Sequence, residues 1–172
     1  MTHLFTADDW ISLRQISDAT VSPGGELVAF VKADSFKDGG SNSAKGPRSS
    51  IYTVPSGGGQ ISQITFGPRS DTSPRWSPDG NKLAFLSDRD EAGQRQIYLL
   101  DRSGGEARCL TTINGTIPSP RTLSPLEWTP DGKALAFLKQ EVESYDASNH
   151  TDNHDAIEFE KFPKYVRLWF VE

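Results

Sequence analysis

Trp76-Ser77-Pro78-Asp79-Gly80-Asn81-Lys82-Leu83-Ala84-Phe85-Leu86 occurs three times in this chain, with small changes. Upstream it reads Val21-Ser22-Pro23-Gly24-Gly25-Glu26-Leu27-Val28-Ala29-Phe30-Val31, and downstream Trp128-Thr129-Pro130-Asp131-Gly132-Lys133-Ala134-Leu135-Ala136-Phe137-Leu138. Ser22 to Ser77 is 55 residues and Ser77 to Thr129 is 52. Within each copy Pro presets φ at the first corner of a tight turn, Asp can bond its own backbone, and Gly accepts the positive φ that closes the reversal. Short apolar and aromatic flanks make the turn a hairpin. Leu83-Ala84-Phe85-Leu86 does not alternate polar with apolar, so both faces of that strand are expected to be covered.

A second hairpin follows each of the first two copies. Ile51-Tyr52-Thr53-Val54 leads through Pro55-Ser56-Gly57-Gly58-Gly59 to Ile61-Ser62-Gln63-Ile64-Thr65-Phe66. Its counterpart is Ile97-Tyr98-Leu99-Leu100, then Asp101-Arg102-Ser103-Gly104-Gly105-Glu106, then Ala107-Arg108-Cys109-Leu110-Thr111. The unit is four short strands, up-down-up-down, closed by an Ile/Leu-Thr ending. With two apolar faces it must stack on copies of itself, and a radial stack of such sheets is a β-propeller. A β-sandwich shares the short strands but does not repeat one phrase at this spacing.

The expected fold is therefore all-β: a partial β-propeller of about three four-stranded antiparallel blades, the third incomplete, with a short N-terminal helix. The boundaries read as 1–17 for the helix and lead-in, 18–66 for blade one, 73–111 for blade two and 125–172 for blade three, with an insertion over 141–164. Arg167-Leu168-Trp169-Phe170-Val171 supplies a third strand to blade three, and no Gly-Gly turn or fourth strand follows it. Propellers close with about 4–8 blades. An arc this short leaves blade faces and strand edges open. The expectation is the beginning of a longer polypeptide, with a ring completed by self-association through the exposed blade faces as the alternative. Thr6-Ala7-Asp8-Asp9-Trp10 reads as a capped helix start, with Trp10, Ile11 and Leu13 expected to pack it somewhere, against a partner domain in one reading.

Composition excludes several classes. The 172 residues carry 18 Lys+Arg against 23 Asp+Glu, a net charge of −5, which argues against a nucleic-acid footprint. No apolar run reaches the ~18–20 residues of a membrane helix. Asp8 and Asp9 stand where a signal peptide would be apolar, so a cytoplasmic location is expected. The single cysteine, Cys109, excludes an intramolecular disulfide and a Cys-based zinc cage.

Arg75-Trp76-Ser77-Pro78-Asp79-Gly80, Leu83-Ala84-Phe85-Leu86-Ser87-Asp88-Arg89, Ile97-Tyr98-Leu99-Leu100-Asp101 and Gly104-Gly105-Glu106-Ala107 together resemble the WD-like propeller repeat of TolB and of prolyl-oligopeptidase-family serine peptidases. The opening, Phe5 to Asp9 followed by Leu13 to Asp18 and Val21-Ser22-Pro23, resembles the N-terminal edge of the acylaminoacyl-peptidase and dipeptidyl-peptidase-like branches. The resemblance implies a propeller that gates and selects short peptide substrates. Peptide-bond hydrolysis would then belong to a separate C-terminal α/β-hydrolase domain carrying Ser, Asp and His. The alternative it leaves is a TolB- or WD-like interaction scaffold without enzymatic activity.

No catalytic residue is expected in this chain. There is no G-x-S-x-G nucleophile elbow, and Gly39-Gly40-Ser41-Asn42-Ser43 fails at its last position. His3, His150 and His154 lack the strand-to-helix context of a triad. His150 and His154, at i and i+4 near Asp152 and Asp155, lie in poor helix material with no third ligand, so no metal site is expected. Asp146–Asp155 lacks the Gly and terminal Glu of a calcium loop. Gly57-Gly58-Gly59 is not followed by Gly-Lys-Ser/Thr, so no phosphate loop or cofactor is expected. The sequons at Asn114 and Asn149 read as ordinary loop residues. Of the two insertions, Lys32–Ser50 and Glu141–Lys164, the second carries Asp146, Asp152, Asp155, Glu158 and Glu160 and is the better functional candidate, since propeller rims bind through loops, with a solvated crossover as the plain alternative. Glu141 and Glu143 are the substrate-binding candidates. Dipeptidyl-type relatives hold a free amino terminus with propeller carboxylates, an ion pair that suits Glu; the plain alternative is a solvated strand exit. Cys109, aligned with Ile64, is expected to be a buried inert thiol.

Overall fold

The computed structural model describes residues 6–35, 48–113, 117–118, 124–141 and 165–171. It begins with helix α1 (Ala7–Ser12). Thr6 caps it reciprocally: the Asp9 N–H donates to Thr6 Oγ1 at 3.2 Å, and the Thr6 N–H donates to Asp9 Oδ2 at 2.8 Å. The expected cap is thus present, and no described residue supplies the expected packing. No residue of α1 is buried, and Trp10 stands 64% exposed.

Among the described residues eleven strands follow. Blade one is β1 (Ile16–Val21), β2 (Leu27–Ala33), β3 (Ser49–Pro55) and β4 (Ser62–Gln63). Blade two is β5 (Asp71–Trp76), β6 (Lys82–Ser87), β7 (Gln96–Asp101) and β8 (Arg108–Cys109). Blade three is β9 (Leu126–Trp128), β10 (Leu135–Glu141) and β11 (Tyr165–Val171). Each sheet is an antiparallel meander in chain order. None is closed. The expected partial propeller with an incomplete third blade is the observed fold.

The repeated turns fold alike because the same atoms close them. Ser77 and Thr129 accept from Gly80 and Gly132 N–H through their carbonyls, both at 2.8 Å. Their hydroxyls accept from Lys82 N–H at 2.9 Å and Ala134 N–H at 3.0 Å. Asp79 and Asp131 take the same hydroxyls and the N–H groups of Asn81 and Lys133. Gly80 and Gly132, at φ 71° and 70°, occupy the left-handed corner that glycine tolerates best. The turns also stack. A Cβ on Gly80 would touch Pro23 Cδ at 3.6 Å, and one on Gly132 would touch Pro78 Cδ at 3.5 Å, so each turn's proline lies against the next turn's glycine.

The outer strands are shorter than the sequence suggests, two residues each, because threonine takes over from the ladder. Thr65 and Thr111 hydroxyls accept from Ile51 and Ile97 N–H at 2.9 and 3.0 Å. This is the physical content of the Ile/Leu-Thr ending.

Two apolar seams hold the arc together. Between blades one and two, Ala29, Val31 and Ile51 meet Leu83, Phe85, Tyr98 and Leu100. Between blades two and three, Ala84, Leu86, Ile97 and Leu99 meet Leu126, Leu135 and Phe137. Successive residues of β6 and β7 point into different seams, as the pleat requires. That is why Leu83-Ala84-Phe85-Leu86 is a continuous apolar run, and it is buried throughout.

The structure corrects the reading of Cys109. It pairs with Tyr98, and the equivalent partner of Tyr52 is Gln63, so Cys109 corresponds to Gln63 and not to Ile64. A slip of one residue moves a strand side chain to the other face, and Cys109 is exposed. Its thiol donates to Thr111 O at 3.0 Å, where the Gln63 amide donates to Thr65 O at 2.9 Å.

Candidate functional site: the insertion rim

The blades present two rims of different character. One gathers the tight turns: Ser56 N–H donates to Glu26 O at 2.9 Å, and Arg102 N–H to Asn81 O at 2.8 Å, tying both hairpin turns of a blade together. The other carries the β2–β3, β6–β7 and β10–β11 connections and the passages between blades. Both long insertions leave from this second rim. Glu141 ends β10 there, opposite Tyr165 in the register. Glu143, His150, His154, Asp146, Asp152, Asp155 and the sequon at Asn149 lie outside the described residues, as do His3, Asn114 and Gly39–Ser43.

The base of this rim is knitted by charge. Asp71, which opens β5, is 1% exposed and meets Arg89, 15% exposed, with Arg89 Nη2 at 3.0 and 3.1 Å from its two oxygens. The Arg89 Nε–H donates to Ser87 Oγ at 3.0 Å. The guanidinium also lies over the Tyr98 and Phe85 rings, 4.7 and 5.4 Å from their centroids. Asp88 accepts from Ser70 N–H at 3.1 Å and from Gly93 N–H at 3.0 Å, so one carboxylate fixes both the interblade passage and the β6–β7 loop. The Tyr98 hydroxyl donates to Asp90. Burial, then that hydrogen bond, pushes the Tyr98 phenol well above its usual range, so it stays protonated. Ser49 Oγ–H reaches Asp71 O at 3.0 Å and ties blade one to the same corner. Asp34 N–H to Arg48 O at 2.7 Å closes the stem of the first insertion.

The inner strands β1, β5 and β9 stand side by side. At the same repeat position they present Thr20, Arg75 and Glu127. Arg75 Nε is 3.1 Å from Glu127 Oε1, and Nη2 donates to Ser124 Oγ at 2.7 Å, so the two charges pair across the second seam. Bulges break β1 and β5 at equivalent places, with Asp18 and Ser73 at φ 50° and 54°. Blade three has Pro125 at that position, where a positive φ is forbidden, and β9 is three residues long.

Among the described residues no cluster of His, Cys, Asp and Glu could hold a metal ion. No helix there is long and apolar enough to cross a membrane. Sequence reading missed the Asp71–Arg89 and Arg75–Glu127 pairs. The second was available from the 52-residue offset, which places Arg75 and Glu127 at one register position with opposite charge.

Wedge-shaped meanders, inner strands side by side and a repeated turn stacked blade on blade define an arc of a β-propeller. The chain belongs to the TolB β-propeller domain family, whose model matches residues 20–158. It is 35% identical over 162 residues to the uncharacterised peptidase YuxL of Bacillus subtilis, covering 92% of this chain and 23% of YuxL. It is 28% identical over 135 residues to dipeptidyl-peptidase 5 of Porphyromonas endodontalis, covering 78% of this chain and 18% of that relative. The fold superposes on Pyrococcus horikoshii acylaminoacyl peptidase with a TM-score of 0.60 at 19% identity, over 95% of this chain and 24% of the peptidase. The chain therefore spans less than a quarter of the length of these curated relatives, and its kin are larger peptidases.

Proposed function

We propose that this chain is the opening arc of a propeller that gates and selects short peptides for a serine peptidase of acylaminoacyl- or dipeptidyl-peptidase type. Hydrolysis occurs in an α/β-hydrolase domain of the same polypeptide, outside these 172 residues. The observation that carries the reading is the likeness to the peptidase YuxL across 92% of the chain. The knitted insertion rim supports it: Asp71, Arg89 and Asp88 give rigid footing to loops that must discriminate substrates. On this reading Glu141 and Glu143 are the residues that would hold a substrate amino terminus, and further blades follow blade three. The protein works in the cytoplasm and needs no cofactor.

The complete reading frame tests this. It should continue into a G-x-S-x-G, then Asp and His, and its product should cleave N-acylated or dipeptidyl p-nitroanilides until a serine-directed phosphonate is added. The 172-residue chain by itself should cleave neither. A frame that adds only blades and then stops would replace this reading with the TolB-like scaffold, which the family model matched by residues 20–158 also fits.

A further inference from the structure

A recess lies away from the insertion rim. Between the outer halves of blades one and two, a cleft of 310 Å³ opens near the tight-turn rim. Leu27 and Ile64 wall it from blade one, Leu83 and Leu100 from blade two, and Phe66 lines it while 74% exposed. An aromatic ring left this open beside an apolar recess adds to a binding surface and not to the core.

Two features select the ligand, and a third reports it. Ligand pockets span roughly 300–1,000 Å³, so a cleft at the lower bound takes one ring or branched chain and not a run of peptide. Trp76 lines the cleft, and its indole N–H is buried without an acceptor among the described residues. The repeat shows that this is a peculiarity of the first seam, because the equivalent Trp128 N–H donates to Arg75 O at 3.1 Å. The nitrogen has no accessible surface, so the Trp76 ring walls the cleft and reports an occupant without hydrogen-bonding it. Arg102, also lining the cleft, holds the Glu26 carboxylate at 2.6 Å across the seam, with both side chains substantially exposed. Such a pair is weak, so a ligand carboxylate can take the place of Glu26 on the guanidinium.

We infer that the cleft between blades one and two binds a small apolar carboxylate. Its hydrocarbon body lies against Leu83, Leu100, Phe66 and the Trp76 ring, and its carboxylate on Arg102. The site is separate from the insertion rim and does not depend on the peptidase reading.

The four tryptophans, Trp10, Trp76, Trp128 and Trp169, offer four indole N–H resonances in the 15N-labelled protein. Titration with 3-phenyllactate should shift one of them saturably, with a dissociation constant of roughly 1 mM for a ligand of this size. That resonance should be the one missing in Trp76→Phe. Arg102→Gln, a change at an exposed side chain that leaves the fold intact, should weaken binding about tenfold, and so should replacing the acid by 3-phenyllactamide. No indole shift in the wild-type protein at roughly 10 mM, ten times that constant, would overturn the site. Equal affinity of acid and amide, or of wild type and Arg102→Gln, would overturn the carboxylate assignment, even if Trp76→Phe failed to fold.

Discussion

Blades two and three are built from the same phrase, yet one is enclosed and the other is not. Ile97 and Leu99 on β7 correspond in register to Leu168 and Phe170 on β11. The first pair is 0% and 7% exposed; the second is 61% and 61%. The chemistry of the positions is the same, so the difference is the neighbour: blade three covers Ile97 and Leu99, and no described residue covers Leu168 and Phe170. Fully burying side chains of this size is worth about 1.5–3 kcal/mol each. Blade faces here are thus made to be shared, and a blade's stability belongs largely to its seams.

The comparison can be broken at several points. The largest effect is expected at Phe85, which fills the first seam: Phe85→Ala should cost about 4 kcal/mol in denaturant unfolding. Phe170→Ala should change the same measurement by less than about 0.5 kcal/mol, since its ring leaves no cavity. A loss at Phe170 as large as at Phe85 would show that the third blade is enclosed after all. Asp71→Ala should come next, at about 3 kcal/mol, because it strands the Arg89 guanidinium under the rim. Gly80→Ala should cost about 1 kcal/mol by forcing an L-residue to a positive φ. The smallest effect is expected from the turn carboxylates. The Ser77 hydroxyl, then the Asn81 N–H and amide, pull Asp79 down from 3.8 to about 2, and the Thr129 hydroxyl lowers Asp131 in the same way. A carboxyl whose folded pKa is depressed lends stability above its unfolded value and loses it as pH falls through the folded one. Melting temperature should therefore drop slightly from about pH 4 toward pH 2, and less so in Asp79→Asn.

Much of this architecture was legible in the residues. The Ser/Thr-Pro-x-Gly turn is a local event governed by side chains within five residues, so its repetition located the first hairpin of every blade. The unbroken Leu83–Leu86 run announced two covered faces. Cross-blade relations were less readable, because a seam joins residues some fifty positions apart and nothing local marks them. Asp71 and Arg89 stand 18 residues apart with no local pattern to link them, and they meet because Asp71 pairs with Ser87 where β5 begins beside the end of β6. Cys109 was misplaced by one residue because Ile64 and Cys109 look alike in an apolar alignment, while the ladder pairs Tyr98 with Cys109 and Tyr52 with Gln63. Glu141, read as a substrate-binding candidate with a solvated strand exit as the alternative, is the last residue of β10.

Hydrogen exchange at two equivalent strands tests the shared-face account most directly. In the 172-residue chain, amides of β7 (Gln96–Asp101) should exchange far more slowly than those of β11 (Tyr165–Val171), and in the longer polypeptide proposed above β11 should become as slow as β7. Equal protection of the two strands in the 172-residue chain would contradict it, as would a β11 that exchanges no more slowly when the rest of the polypeptide is present.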